Sequence, residues 1–154
     1  MGKSGELVFK PMFIGEYQHN IDVKGRMAVP AKFRGKLGLG AVITRGLDKC
    51  LFIFAAKEWD VLANKINALP LSQSSSRAFS RFIMSGATDV EFDAQGRVLI
   101  PEHLRKYANL TKSTIVTGVF NRIEIWNEND WKEYKNKTES SSEEIAEKLS
   151  GFGI

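Results

Sequence analysis

Ile21-Asp22-Val23-Lys24-Gly25-Arg26-Met27-Ala28-Val29-Pro30-Ala31-Lys32-Phe33-Arg34 is the stretch that decides the fold, because the chain contains it twice. The second copy reads Phe92-Asp93-Ala94-Gln95-Gly96-Arg97-Val98-Leu99-Ile100-Pro101-Glu102-His103-Leu104-Arg105. Asp22 with Asp93, Gly25 with Gly96, Arg26 with Arg97, Pro30 with Pro101 and Arg34 with Arg105 are each 71 residues apart. Gly15 and Gly86 carry the match upstream. Gly46 with Gly118 and Trp59 with Trp131 carry it downstream at an offset of 72, after a one-residue insertion. So many matches in one order mark an internal duplication built on a repeated Asp-x-x-Gly-Arg turn.

Around that turn the pattern is strand, turn, strand. Tyr17, His19 and Ile21 alternate with Glu16, Gln18 and Asn20, and Met27 and Val29 alternate with Arg26 and Ala28. This is the period of a half-buried strand. Asp22-Val23-Lys24-Gly25 has type I turn chemistry: Asp accepts backbone N–H groups and Gly supplies positive φ. Asp93-Ala94-Gln95-Gly96 has the same. Pro30 suits the first position of a short helix carrying Phe33 and Leu37, which Gly38 and Gly40 end. Pro101 opens its counterpart, with Leu104 and Ala108 inward. Another hairpin follows each helix, 41–45 with 50–54 and 113–118 with 122–126. Each unit is thus two strands, a short helix and two more strands. Trp59, Leu62, Ile66 and Leu69 predict an amphipathic helix over 57–69. Beyond Pro70, Ser72 or a neighbouring serine is expected to cap a second helix striped by Phe79, Phe82 and Ile83. A helix over 128–137, a polar break over 138–142, an acidic helix over 143–149 and a loose tail over 151–154 complete the chain. The expected divisions are a leader (1–11), a first unit (12–56), connecting helices (57–85), a second unit (86–127) and a C-terminal helix with acidic tail (128–154).

A unit of about 45 residues is near the size at which a lone core is marginal, so the two are expected to share one. No run approaches the roughly 20 apolar residues of a membrane helix, and no apolar N-terminal run suggests a secretory signal. The only cysteine, Cys50, leaves no internal disulfide and suits a reducing cytoplasm. Its setting, Cys50-Leu51-Phe52-Ile53-Phe54, reads as a small buried hydrophobe. The net charge is +4, but residues 127–154 hold seven acids against four lysines, which leaves +7 on the rest. A basic body with an acidic tail suits a polyanion partner, nucleic acid above all, or serves solubility alone.

Arg26 and Arg97 each follow a glycine at a hairpin tip, with Lys24 or Gln95 beside them. A guanidinium fork matches phosphate and the O6/N7 edge of guanine. Asp22 and Asp93 are expected to brace the turns by pairing with these arginines, a role compatible with nucleic-acid contact. Lys32, Arg34, Arg105 and Lys106 lie on the following helices, where they flank the tips and hold phosphates or simply face solvent. The aromatic residues fall at core or interface spacing. His19 and His103 occupy unmatched positions, and no Cys or His spacing suggests a metal. No nucleophile with its base, phosphate loop or carboxylate cluster stands out, so neither an enzyme nor a cofactor is expected.

At these residues the sequence resembles the MraZ family. The resemblance rests on Asp22-Val-Lys-Gly-Arg26 and Asp93-Ala-Gln-Gly-Arg97, the opening Met12-Phe-Ile-Gly-Glu-Tyr, the segment 25–30, and Gly118 through Trp126. It implies an α+β fold, a duplicated AbrB-like swapped-hairpin β-barrel with flanking helices. It also implies a ring-forming homo-oligomer, an octamer, bound to double-stranded DNA in the cytoplasm at the nucleoid. The function it implies is a transcriptional regulator, a repressor acting on direct repeats upstream of its own division and cell-wall operon. The matching contact positions are Lys24, Gly25 and Arg26 with Gln95, Gly96 and Arg97. The alternative is an antitoxin-like module whose acidic tail clasps a basic protein.

Overall fold

The computed structural model describes residues 12–154; the reading of 1–11 as a leader lies outside them. The first unit supplies β1 (Phe13–Asn20), β2 (Arg26–Ala28), α1 (Ala31–Leu37), β3 (Val42–Arg45) and β4 (Leu51–Phe54). Two connecting helices follow, α2 (Ala56–Asn67) and α3 (Ser74–Gly86). The second unit repeats the order with β5 (Thr88–Asp89), β6 (Arg97–Leu99), α4 (Glu102–Tyr107), β7 (Ser113–Phe120) and β8 (Ile123–Asn127). The chain ends in α5 (Glu128–Ser140), α6 (Ser142–Lys148) and a 3-10 turn, Ser150–Phe152, where a loose tail was expected.

The strands of the two units are interleaved. Six of them form an antiparallel sheet in the order β1-β7-β8-β4-β3-β5, and β2 pairs with β6 in a separate ribbon. Thus β1 of the first unit lies on β7 of the second, and β5 of the second on β3 of the first. Two kinds of strand, β2 with β6 and β4 with β8, meet their own counterparts. The sheet is open, with edges at β1 and β5, so the expected barrel does not close among the described residues.

The core explains the interleaving. One cluster holds Met27, Val29, Phe33 and Leu37 together with their repeats Val98, Ile100, Leu104 and Ala108. Neither set alone closes off water; packed together, Met27, Phe33, Ile100, Leu104 and Ala108 are fully buried. Each large side chain so buried contributes about 1.5–3 kcal/mol. A smaller cluster of Cys50, Ile115 and Trp126, with Phe52 and Trp131 against it, seats α5 on the sheet. Burial raises the Cys50 thiol well above its ordinary value of 9.0, as expected of a buried hydrophobe.

Several local expectations shift. The lead strand is eight residues long in the first copy and two in the second. Residues 74–86 follow their helical apolar stripe as far as Gly86, which takes the first three residues of the segment, 84–91, that would match β1. Arg45 Nη1 donates to Phe82 O at 2.8 Å and Thr44 donates to Ile83 O, holding the end of that helix on β3. Gln73, not Ser72, is the N-cap of α3, without a side-chain hydrogen bond. Arg77 Nη1 instead reaches the carbonyls of Leu71 and Ser72. Pro30 and Pro101 sit at the N-cap, one position before the first helical residue. The polar break expected over 138–142 narrows to Ser141. Thr138 and Ser140 bond back to the carbonyls of Tyr134 and Lys137, so their hydroxyls satisfy the helix rather than interrupt it.

Candidate nucleic-acid interface

Both Asp-x-x-Gly-Arg turns are built the same way. Gly25 N donates to Asp22 O at 3.0 Å and Asp22 N to Arg26 O at 2.9 Å. Asp22 Oδ1 accepts the backbone N–H groups of Lys24 and Arg26, both at 2.9 Å, while Oδ2 accepts Arg26 Nε at 2.8 Å. In the second turn Asp93 Oδ1 accepts Gln95 N at 2.9 Å and Arg97 N at 3.0 Å, and Oδ2 accepts Arg97 Nε at 2.8 Å. The donated backbone N–H of Arg26, ahead of the other bonds, holds the Asp22 carboxyl below its ordinary 3.8. Arg97 does the same for Asp93. Gly25 and Gly96 take φ of +86° and +77°, a region that L side chains disfavour. The aspartates therefore act as the braces expected of them.

Pairing of β2 with β6 then sets the two turns side by side. Met27 stands opposite Val98 and both point into the core, so the alternating residues Arg26, Ala28, Arg97 and Leu99 share the ribbon's outer face. Arg26 and Arg97 lie diagonally across it. Their side chains are 33% and 28% exposed, neither sealed in the body nor free in solvent. Arg97 Nη1 also comes to 3.6 Å from Asp22 Oδ2, which links the turns electrostatically. Among the described residues, both terminal amino groups of Arg26 lack a protein partner.

The helix arginines arrive crossed. Arg105 Nε donates to Ile100 O at 2.9 Å, and its Cζ lies 2.9 Å from where a Cβ on Gly25 would stand. Arg34 Nη1 donates to Val29 O at 3.5 Å, and its Cζ lies 2.8 Å from the corresponding point on Gly96. Each unit's helix thus covers the other unit's turn. Ile100 N donates to Gly25 O at 2.8 Å and Val29 N to Gly96 O at 3.5 Å, which fixes this exchange. The sequence places an arginine near each tip but holds no signal for which tip; that follows from the strand pairing.

Lys32 stands apart from this group. Its Nζ lies 4.9 Å from the centre of the Tyr17 ring, a cation–π contact. Lys106 pairs with Glu102 at 3.5 Å on an exposed helix face. Lys24 and Gln95 are exposed at the turn apices. Lys24, Arg26, Arg34, Arg97 and Arg105 set five positive charges against Asp22 and Asp93. Such a face draws an anion through several charge-assisted hydrogen bonds. Among the described residues no group of three or more His, Cys, Asp or Glu is placed to hold a metal ion. No helix there is long and apolar enough to cross a membrane.

The duplication agrees with comparison to known proteins. A family model described as "MraZ protein, putative antitoxin-like" matches the chain twice, over residues 12–82 and 83–152. The chain belongs to the MraZ family. Relatives named Transcriptional regulator MraZ align along nearly their whole length. That of Natranaerobius thermophilus is 52% identical over 143 residues, 93% of this chain and 100% of the relative. That of Carboxydothermus hydrogenoformans is 50% identical over 141 residues, 92% of this chain and 99% of the relative. Each half matched by the MraZ model contains one of the braced arginine turns described above.

Proposed function

We propose that this chain is a sequence-specific double-stranded DNA-binding transcriptional regulator without enzymatic activity. It represses its own division and cell-wall operon by binding direct repeats upstream, in the cytoplasm at the nucleoid. The observation that carries the reading is the common outer face bearing Arg26 and Arg97 with Arg105 and Arg34 beside them. Lys24, Gly25 and Arg26 with Gln95, Gly96 and Arg97 meet the DNA. Arg34 and Arg105 hold phosphates, and Lys32 contributes only general positive charge. The interleaved strand pairing supports an AbrB-like swapped-hairpin body made of units 12–56 and 86–127, joined by 57–85 and followed by 128–154.

A subunit with so few phosphate contacts binds weakly by itself. A ring-shaped homo-oligomer, an octamer, facing repeated sites raises avidity by about 10²–10⁴ through effective concentration. The test is Arg26→Ala with Arg97→Ala. The double variant keeps its oligomer on size exclusion and loses binding to DNA from upstream of its own gene. A double variant that still shifts this DNA at physiological salt overturns the proposal. Affinity of the unaltered chain falls with salt by about 0.9 in log K per log unit for each phosphate neutralised.

A second reading is an antitoxin-like module that binds a basic protein. It is favoured by α6, an acidic helix with no buried residue; its Ile145 and the Leu149 that follows it are exposed.

A further inference from the structure

The two turns share a backbone plan but differ at their surfaces. Val23 corresponds to Ala94, Lys24 to Gln95, and Ala28 to Leu99. Strand pairing then exchanges the last pair. Leu99 stands opposite Arg26, next to the Ile100 N–H that holds Gly25 O, so it belongs to the first turn although the second repeat supplies it. Ala28 stands opposite Arg97 and belongs to the second. The larger apolar member of each pair therefore collects at one turn. Val23 there is 100% exposed and Leu99 61% exposed. Single exposed aliphatics are ordinary on a protein surface. Here Leu99 stands opposite Arg26 and Val23 lies three residues ahead of it in the same turn, at a site that also carries Lys24 and Arg105.

A branched aliphatic side chain can recognise one group on the base edges of the major groove, the thymine 5-methyl. Arg26, opposite Leu99 and in the same turn as Val23, carries donors suited to guanine or phosphate. Across the ribbon, Ala28 and Ala94 leave room, and Gln95 both donates and accepts, which matches the N6/N7 edge of adenine. We infer that Val23 and Leu99 form an apolar reader of thymine methyl groups beside Arg26. The pseudo-symmetric face consequently reads a non-palindromic sequence in one orientation. This rests on the DNA-binding reading above and sharpens it. A body whose backbone has two-fold symmetry would otherwise favour inverted sequences, whereas a face with polarity suits sites repeated head to tail.

The experiment uses the full chain and a pool of random-sequence DNA duplexes. The selected sequence is resynthesised with uracil replacing thymine one position at a time, which removes only the methyl group. The expected selected sequence is non-palindromic. At one or more of its thymines the uracil duplex binds about fourfold more weakly, the worth of one buried methyl. Val23→Ala with Leu99→Ala lowers affinity for the thymine duplex to that for the uracil duplex. The uracil scan on the unaltered chain depends on no variant folding. A palindromic selected sequence overturns the inference, as does indifference to uracil at every position or a double variant that keeps the discrimination. Binding without uracil sensitivity removes this inference and leaves the DNA-binding reading standing. Failure to select any sequence removes both.

Discussion

Gly25→Ala isolates the part of the site that depends on one missing side chain. Gly25 adopts φ +86°, where an L-residue costs about 1–2 kcal/mol. Restricting the unfolded chain returns about 0.4–1 kcal/mol, so the net loss is about 1 kcal/mol. For a chain of this size that lowers Tm by about 2–4 °C. The new Cβ would also lie 2.9 Å from Arg105 Cζ and 3.0 Å from its Nε. The guanidinium is the flexible partner and moves, giving up its 2.9 Å bond to Ile100 O. DNA affinity therefore falls with stability. In an Arg105→Ala background the same glycine substitution still costs its strain but no further affinity, so the two binding losses are not additive. Gly35→Ala, inside α1 with ordinary φ and nothing within 4 Å of its Cβ, is the control; it stabilises by about 0.5–1 kcal/mol. Calorimetry and DNA titration of the parent and these four variants decide the matter. A Gly25→Ala protein as stable as the parent, or fully additive binding losses with Arg105→Ala, would refute the crossed arrangement.

Three further predictions concern pH and the tail. Asp22 and Asp93 have folded values held below 3.8, so their stabilisation is present above that pH and is lost as pH falls through the depressed values. Urea midpoints followed into acid should drop less steeply below about 3.8 for Asp22→Asn with Asp93→Asn than for the parent. His19 has the same sign in a higher pH window: burial lowers its value from 6.5, so protonation is harder in the folded state and stability falls as pH drops below about 6.5, a slope that His19→Gln removes. Deleting residues 142–154 removes no buried residue, and should leave Tm and DNA affinity unchanged while abolishing retention of any basic protein partner. Loss of DNA binding on that deletion would remove the tail from the partner role.

The repeat made most of the architecture legible. A constant spacing between Asp22 and Asp93, or Phe33 and Leu104, states that two backbones are alike, and apolar periodicity states which sides face inward. Bracing of Arg26 by Asp22 was readable too, because both partners lie within one turn. What spacing cannot carry is partnership between the copies. That Arg105 covers Gly25, and that Leu99 faces Arg26, depend on which strand of one unit pairs with which of the other. The short β5 was hidden for a different reason. Residues 84–89 fit either a strand matching β1 or the end of a helix, and packing of Phe82 and Ile83 against Thr44 and Arg45 decides for the helix. Lys32 was drawn away from the turns by Tyr17, a ring 15 residues upstream whose proximity no local pattern announces.

Fusion of the two units has a consequence that a dimer of separate chains cannot reach. A homodimer must carry identical residues at both of its turns, so any change at one tip is repeated at the other. Here the paired positions are free to differ, and they differ in two distinct ways. In the core, Phe33 faces the same interior as Leu104, and Leu37 the same as Ala108, so a larger side chain from the first unit is matched with a smaller one from the second and the volume is shared. On the outer face the larger apolar residues instead fall to a single turn, because the strand exchange sets Leu99 opposite Arg26, in the turn that carries Val23. Core differences that compensate preserve the symmetric frame. Surface differences that accumulate on one side give that frame a direction, and a binding face with direction is what recognition of repeats in head-to-tail order demands.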